Sequence, residues 1–247
     1  MISEPENDAY RILGPADAPF LIVGDHASNR VPPGIDLGID PRHMDEHIAV
    51  DIGVGRVAEL LVEGGGFRAI LANASRLVID LNREVDTPGL VPLTSDGIAI
   101  PGNAGADVAA RIATIYDPYH AKVEELAAAP HDPFILSIHS FTPSLSSRPE
   151  EARPWHVGVL YNGDERAAPI AIAALRELGL NVGDQLPYSG RVLNATMNRH
   201  AEAHGRHYLG VELRQDLIMG EAGQRRFADV LRHVAAKVSQ TLQNPGI

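Results

Sequence analysis

The 247-residue sequence contains no cysteine. That absence excludes disulfides, thiolate metal sites and a cysteine nucleophile, and it is compatible with a cytoplasmic address. No apolar run approaches the roughly 18–20 residues that a membrane-spanning helix requires. The opening MISEPENDAY is acidic and polar, unlike a secretory signal. Basic residues are also scarce: 21 Lys and Arg stand against 32 Asp and Glu, for a net charge of −11. General nucleic-acid binding needs basic surface and is not expected, although a few arginines suffice for a local pocket that takes a small anion. With 45% hydrophobic and 21% charged residues the composition is that of a soluble globular protein. The expectation is a cytoplasmic protein without nucleic-acid or membrane partners, folded as a single domain over residues 1–247.

Short apolar runs bounded by breakers read as buried strands at 20–23, 67–71, 77–79, 134–138, 156–161 and 208–213. Segments with helical spacing lie between them. Residues 47–62 place Ile48, Ile52, Val57, Leu60 and Leu61 on one face and stop at a triple glycine. Residues 107–129 form an alanine-rich helix that Pro118 is expected to break or kink, and 166–178 and 221–243 complete the set. Strands alternating with helices predict an α/β fold with a mostly parallel or mixed central sheet and helices on both faces. The loop-rich stretches 84–106 and 140–155 are long enough to be pocket walls or lids.

In such sheets ligands sit beyond the carboxyl ends of the strands. Four apolar runs end in polar clusters: Asp25-His26-Ala27-Ser28-Asn29-Arg30, Asp80-Leu81-Asn82-Arg83, His139-Ser140, and Glu212-Leu213-Arg214-Gln215-Asp216. Singly, each has a structural explanation; four at comparable strand ends point to a site. Two imidazoles and one oxygen ligand suit a catalytic divalent metal with an open position for water. A carboxylate such as Glu212 can serve as general base and acid. Arginines with an adjacent Asn can clamp a substrate carboxylate. The set suits amide hydrolysis in a small anionic molecule.

Other motifs carry less. Ser28 and Ser140 lie near histidines, but neither has a Gly-x-Ser-x-Gly surround. GEAG and VEGGGF fit no phosphate loop. PYSGR either contributes Tyr188 or Arg191 to the pocket or is a structural turn, and the remaining histidines, including His47 and His120, are scattered.

The stretches DHASNRVP, SRLVIDLNRE, IHSFTP, QLPYSGR and GVELRQDL together resemble the N-formylglutamate amidohydrolase family. More distantly, DLNR, IH and GVE are similar to aspartoacylase and the zinc carboxypeptidases. The resemblance implies a phosphorylase/hydrolase-like fold and a metal-dependent amidohydrolase, with N-formylglutamate or another N-acyl amino acid as substrate. It implies His26 and His139 as metal ligands and Glu212 as general acid/base. Arg76, Asn82 and Arg83 would hold the substrate carboxylate and polarise its carbonyl, with Arg214 a further candidate unless it pairs with Asp216. The metal would be zinc, with cobalt as the alternative. The carboxypeptidase-like relatives use His-x-x-Glu, whereas the residue three after His26 is Asn29. A neutral amide is a poor zinc ligand, so the third ligand is expected from Asp51, with Asp25 next and Asn29 as a weak ligand. A non-catalytic amino-acid-binding protein is the other reading that Asn29 leaves open.

Overall fold

The computed structural model describes residues 9–244; most of the acidic opening segment lies outside them. Among the described residues nine strands form: β1 (Tyr10–Leu13), β2 (Phe20–Gly24), β3 (Phe67–Ala72), β4 (Thr94–Ser95), β5 (Ile98–Ala99), β6 (Phe134–Phe141), β7 (Val157–Leu160), β8 (Val182–Asp184) and β9 (Tyr208–Arg214). The six α-helices are α1 (Val54–Glu63), α2 (Val108–Arg111), α3 (Asp117–Ala127), α4 (Ala168–Glu177), α5 (Ala195–His200) and α6 (Glu221–Gln243). Seven strands make one mixed sheet in the order β1-β3-β2-β6-β9-β7-β8, and β4 and β5 pair as a separate hairpin. The centre, β3-β2-β6-β9, is parallel; β1 and β7 run antiparallel to their neighbours β3 and β9.

All eight residues of β6 are buried, as expected of a parallel strand covered on both faces. The two-residue side-chain period then sorts the strands. Leu136, Ile138, Leu209, Val211 and Leu213 enter the core under α1, α4 and α6. Ile135 and Tyr208 enter the opposite core, where α3 and α5 supply Tyr119, Val123 and Met197. Each fully buried Leu, Ile or Val contributes about 1.5–3 kcal/mol relative to exposure, so both helical layers are held firmly to the sheet. By parity, His139 and Glu212 share the face of Ile135 and Tyr208, and they are register partners on adjacent parallel strands.

Three expected elements form differently. Leu77, Val78 and Ile79 are buried, but in turns rather than a strand. The Ser75 hydroxyl accepts from Leu77 N–H, and the Ser75 carbonyl accepts from Val78, which curls the chain locally. Both edges of β3 are already taken by β1 and β2, so no sheet partner is open there. The helix expected from residue 47 starts at Val54, because Gly53 adopts φ 84° against the backbone of Ile218. Asp51 therefore lies in the preceding turn, with its N–H bonded to the His26 carbonyl at 2.9 Å. The 107–129 segment divides into α2, a π-helical stretch at Ile112–Tyr116 and α3, whose first turn holds Pro118. Strands β1 and β8, the β4–β5 hairpin and helix α5 were not apparent as elements in the sequence.

Beneath the site, His120 Nε2 bonds the Leu81 carbonyl, its Nδ1 meets His200 Nε2 at 2.9 Å, and His200 Nδ1 meets Glu124 at 3.0 Å. Burial drives the His120 pKa down to about 3. The unfolded chain titrates near 6.5, so it binds more protons than the fold between those values. Stability is therefore full above pH 6.5 and lost as pH falls, by up to about 1.4 kcal/mol per pH unit and roughly 2 kcal/mol by pH 5. Urea unfolding of the protein and of His120→Asn at pH 7 and pH 5 checks this. The substitution should remove about that much of the pH difference, and an unchanged difference would refute the assignment.

Candidate active site

The parallel strands deliver the site. His26 follows β2, His139 and Glu212 project from β6 and β9, and Arg76, Asp80, Asn82 and Arg83 occupy the turns after β3. His26, Asp51 and His139 converge, all buried, with ligand-capable atoms within 4.8 Å of one another. Asp51 Oδ2 lies 2.9 Å from His139 Nδ1 and 3.5 Å from His26 Nδ1, and also accepts from Ser140 N–H. Two imidazoles and a carboxylate around one point are a donor set for a divalent cation.

A second layer of acids orients both rings. His26 Nε2 meets Asp80 Oδ1 at 2.7 Å, which leaves Nδ1 facing Asp51. Asp25 Oδ2 lies 3.5 Å from His139 Nε2, while its other oxygen accepts from Tyr119 Oη at 2.7 Å. A carboxylate behind each imidazole is the pairing that fixes ring orientation and raises basicity in metal sites. Arg76 spans the acids, donating to Asp51 at 3.2 Å and Asp80 at 3.1 Å.

Burial alone would discharge these groups, but their mutual attraction prevails. It opposes charge on His139, yet the neighbouring carboxylates of Asp25 and Asp51 lift its pKa well above the ordinary imidazole value. His26 is raised too: burial and Arg76 oppose its charge, and Asp80 and Asp51 outweigh them. Asp51 and Asp80 are held far below the usual carboxylate range, each against burial and chiefly by the charge on His26. Glu212 behaves oppositely. Burial pushes its pKa up to about 7, with His139 only partly offsetting the rise. Its Oε2 is buried without a hydrogen-bond partner, as is His26 Nδ1, which faces Asp51. Buried polar atoms left unpaired mark a place made for something that binds.

His26, Arg76, Asp80, His139 and Glu212 line a cavity of about 170 Å³, joined by Tyr188, Thr142, His47, Asn82 and Arg83. The Asn82 side chain is fixed by Thr196 N–H at 3.1 Å, and the Arg83 carbonyl by Tyr116 Oη at 2.9 Å. The α2–α3 segment thus braces the 80–83 turn from behind.

Not every candidate arrives there. Arg214 is held by Asp216 and the carbonyls of Pro154 and Trp155, and does not line the cavity. Asn29 is exposed and donates to Asp45. Asp25 stands behind His139 rather than beside both rings. Ser28 and Ser140 spend their hydroxyl protons on the carbonyls of Asn73 and Ile52. Asp80 stood in the sequence at the head of DLNR without being singled out. Tyr119 offered no local signal, since it lies 94 positions from Asp25.

Residues 18–219 match the family model described as N-formylglutamate amidohydrolase. The chain belongs to that family. No curated protein matches the sequence. A solved gene product from Agrobacterium tumefaciens is 28% identical, with a TM-score of 0.88 over 96% of this chain and 97% of that one. An N-formylglutamate amidohydrolase from Ralstonia eutropha JMP134 is 18% identical and aligns at 0.71 over 97% and 100%, which shows the same fold. This member of the N-formylglutamate amidohydrolase family is thus an α/β amidohydrolase whose motif residues meet at the ends of the parallel strands. Among the described residues, no helix is long and apolar enough to cross a membrane.

Proposed function

We infer that the protein hydrolyses the amide bond of an N-acyl acidic amino acid, most specifically N-formylglutamate to formate and glutamate, with a divalent metal, zinc or cobalt, held by His26, Asp51 and His139. One observation carries this reading: two imidazoles and a carboxylate converge beside Glu212, whose Oε2 is buried without a partner. Asp51 beside both histidines offers the carboxylate that Asn29 does not, which supports this reading over a non-catalytic binder.

A divalent ion in this donor set supplies Lewis acidity and favours ionisation of water near neutral pH. Glu212, register partner of His139, takes the proton of the attacking water and passes it to the amide nitrogen as the C–N bond breaks. Burial favours its protonated form and so readies the return step. Arg83 and Asn82 face the cavity and hold the substrate carboxylate. Arg76, committed to Asp51 and Asp80, steadies the acids at the cavity wall.

The test is metal analysis of purified protein with formate release from N-formylglutamate assayed before and after chelation. About one ion per chain and chelator-sensitive release are expected. Metal without release would assign another acyl substrate. No metal and no activity after zinc or cobalt addition would sink the reading.

A further inference from the structure

The loop after β8 carries a group that the hydrolysis above leaves unused. Tyr188 lines the same cavity as the histidines, and its Oη accepts from Arg153 Nη1 at 3.0 Å. Arg153 is only 3% exposed, and its guanidinium carbon sits 5.1 Å from the Tyr188 ring centroid. Glu151 anchors its other face through bonds of 3.0 and 2.8 Å. A guanidinium only donates, so it occupies an oxygen lone pair and turns the phenolic proton away from itself. Among the described residues that proton meets no acceptor. Tyr188 is therefore set to recognise an oxygen that accepts and to reject a group that donates.

The loop is built to keep that hydroxyl in place. Gln185 adopts φ 58°, unfavourable for a side chain of its type, and clamps the loop with its amide. Its Nε2 donates to the Tyr161 carbonyl at 2.6 Å, and its Oε1 accepts from Gly190 N–H at 2.8 Å. Behind it the Leu186 carbonyl packs so closely on β7 and β8 that a Cβ at Gly158 or Gly183 would collide with it. Burial raises the phenol's pKa, with Arg153 opposing, so the donor keeps its proton at neutral pH.

We propose that Tyr188 is a further catalytic residue, positioned by Arg153, whose hydroxyl donates a hydrogen bond to the carbonyl oxygen of the scissile amide as that oxygen gains negative charge. The proposal rests on the amide-hydrolysis reading. The site has arginines for a carboxylate, whereas a fixed neutral donor in the cavity that holds Glu212 and both histidines suits an oxygen whose charge develops only during reaction. No proton changes hands at Tyr188.

The test is Tyr188→Phe, compared with the unaltered protein after both are loaded with zinc. Loss of one preorganised oxyanion donor lowers kcat by about 100-fold; KM and metal content should hold. Formate, a small oxygen-acceptor anion, should produce a tyrosine ultraviolet difference spectrum that disappears in Tyr188→Phe, a readout that needs no turnover. Arg153→Met should lower kcat in the original background but add little in the Tyr188→Phe background. Unchanged kcat, a rise confined to KM, or the same formate spectrum in both proteins would each overturn the proposal. If neither protein hydrolyses any N-acyl amino acid, the hydrolysis reading fails by itself, and the spectrum still decides whether Tyr188 binds an acceptor oxygen.

Discussion

Glu212→Gln is expected to lower kcat on N-formylglutamate by about 1,000-fold, within the range for loss of a general acid/base. Metal content and KM should change little. The substitution keeps shape and removes only the ability to take and return a proton. The side chain is buried on β9, flanked by His139 in register, with Gly158 across the antiparallel pair. A second effect has the opposite sign. The folded carboxyl titrates near 7 against an ordinary value of 4.5, so the metal-free fold binds the extra proton between those values. Its stability is lost as pH rises from 4.5 to 7, and by pH 8 the buried charge costs on the order of 3 kcal/mol. Metal-free Glu212→Gln should therefore melt higher than the metal-free parent at pH 8 and alike at pH 4.5. A variant that is inactive and also less stable at pH 8 would show that Glu212 is structural. Substantial residual turnover would show that another group moves the proton.

Asp51→Asn is expected to weaken metal binding by more than 100-fold, because even outer-shell partners of metal ligands are worth about 10–100-fold. Asn29→Ala should leave metal content unchanged. The contrast follows from placement. Asp51 Oδ2 lies between both imidazoles, whereas the Asn29 amide points to Asp45 on the surface. Asp51 also draws in Ser140 N–H and Arg76, so the substitution will loosen the turn before α1. Asn29→Ala, distant from these bonds, serves as the control. Equilibrium dialysis against a metal buffer, with elemental analysis, separates them. Full retention in Asp51→Asn would remove that residue from the site, and loss in Asn29→Ala would bring the other one back.

Much of the site was legible because strand ends are local features. An apolar run followed by His, or by Glu with flanking polar residues, marks where a buried strand reaches the mouth of a sheet, and His26, His139 and Glu212 all lie there. Arg83 and Asn82 came with DLNR and line the cavity, although the preceding apolar run is a turn and not the strand ascribed to it. Arg214 shows the limit of such reading. Lying next to a site residue in sequence does not decide direction, and two positions beyond Glu212 the side chain finds Asp216 and two carbonyls instead.

By itself the sequence determined the parallel centre of the sheet, the histidines and the glutamate at its end, and the family motifs. Burial pattern and side-chain period are properties of a few neighbouring residues. Tertiary structure decided which groups complete the site. Gly53 stops the helix short, so Asp51 swings between both imidazoles. The π-helical stretch leads into α3 with Tyr119 on Asp25 and His120 on the Leu81 carbonyl. Arg153 reaches across 35 positions to turn the Tyr188 hydroxyl. Each depends on hydrogen bonds between segments far apart along the chain, whose closure cost is met by the packing of the two hydrophobic cores and not by any local feature.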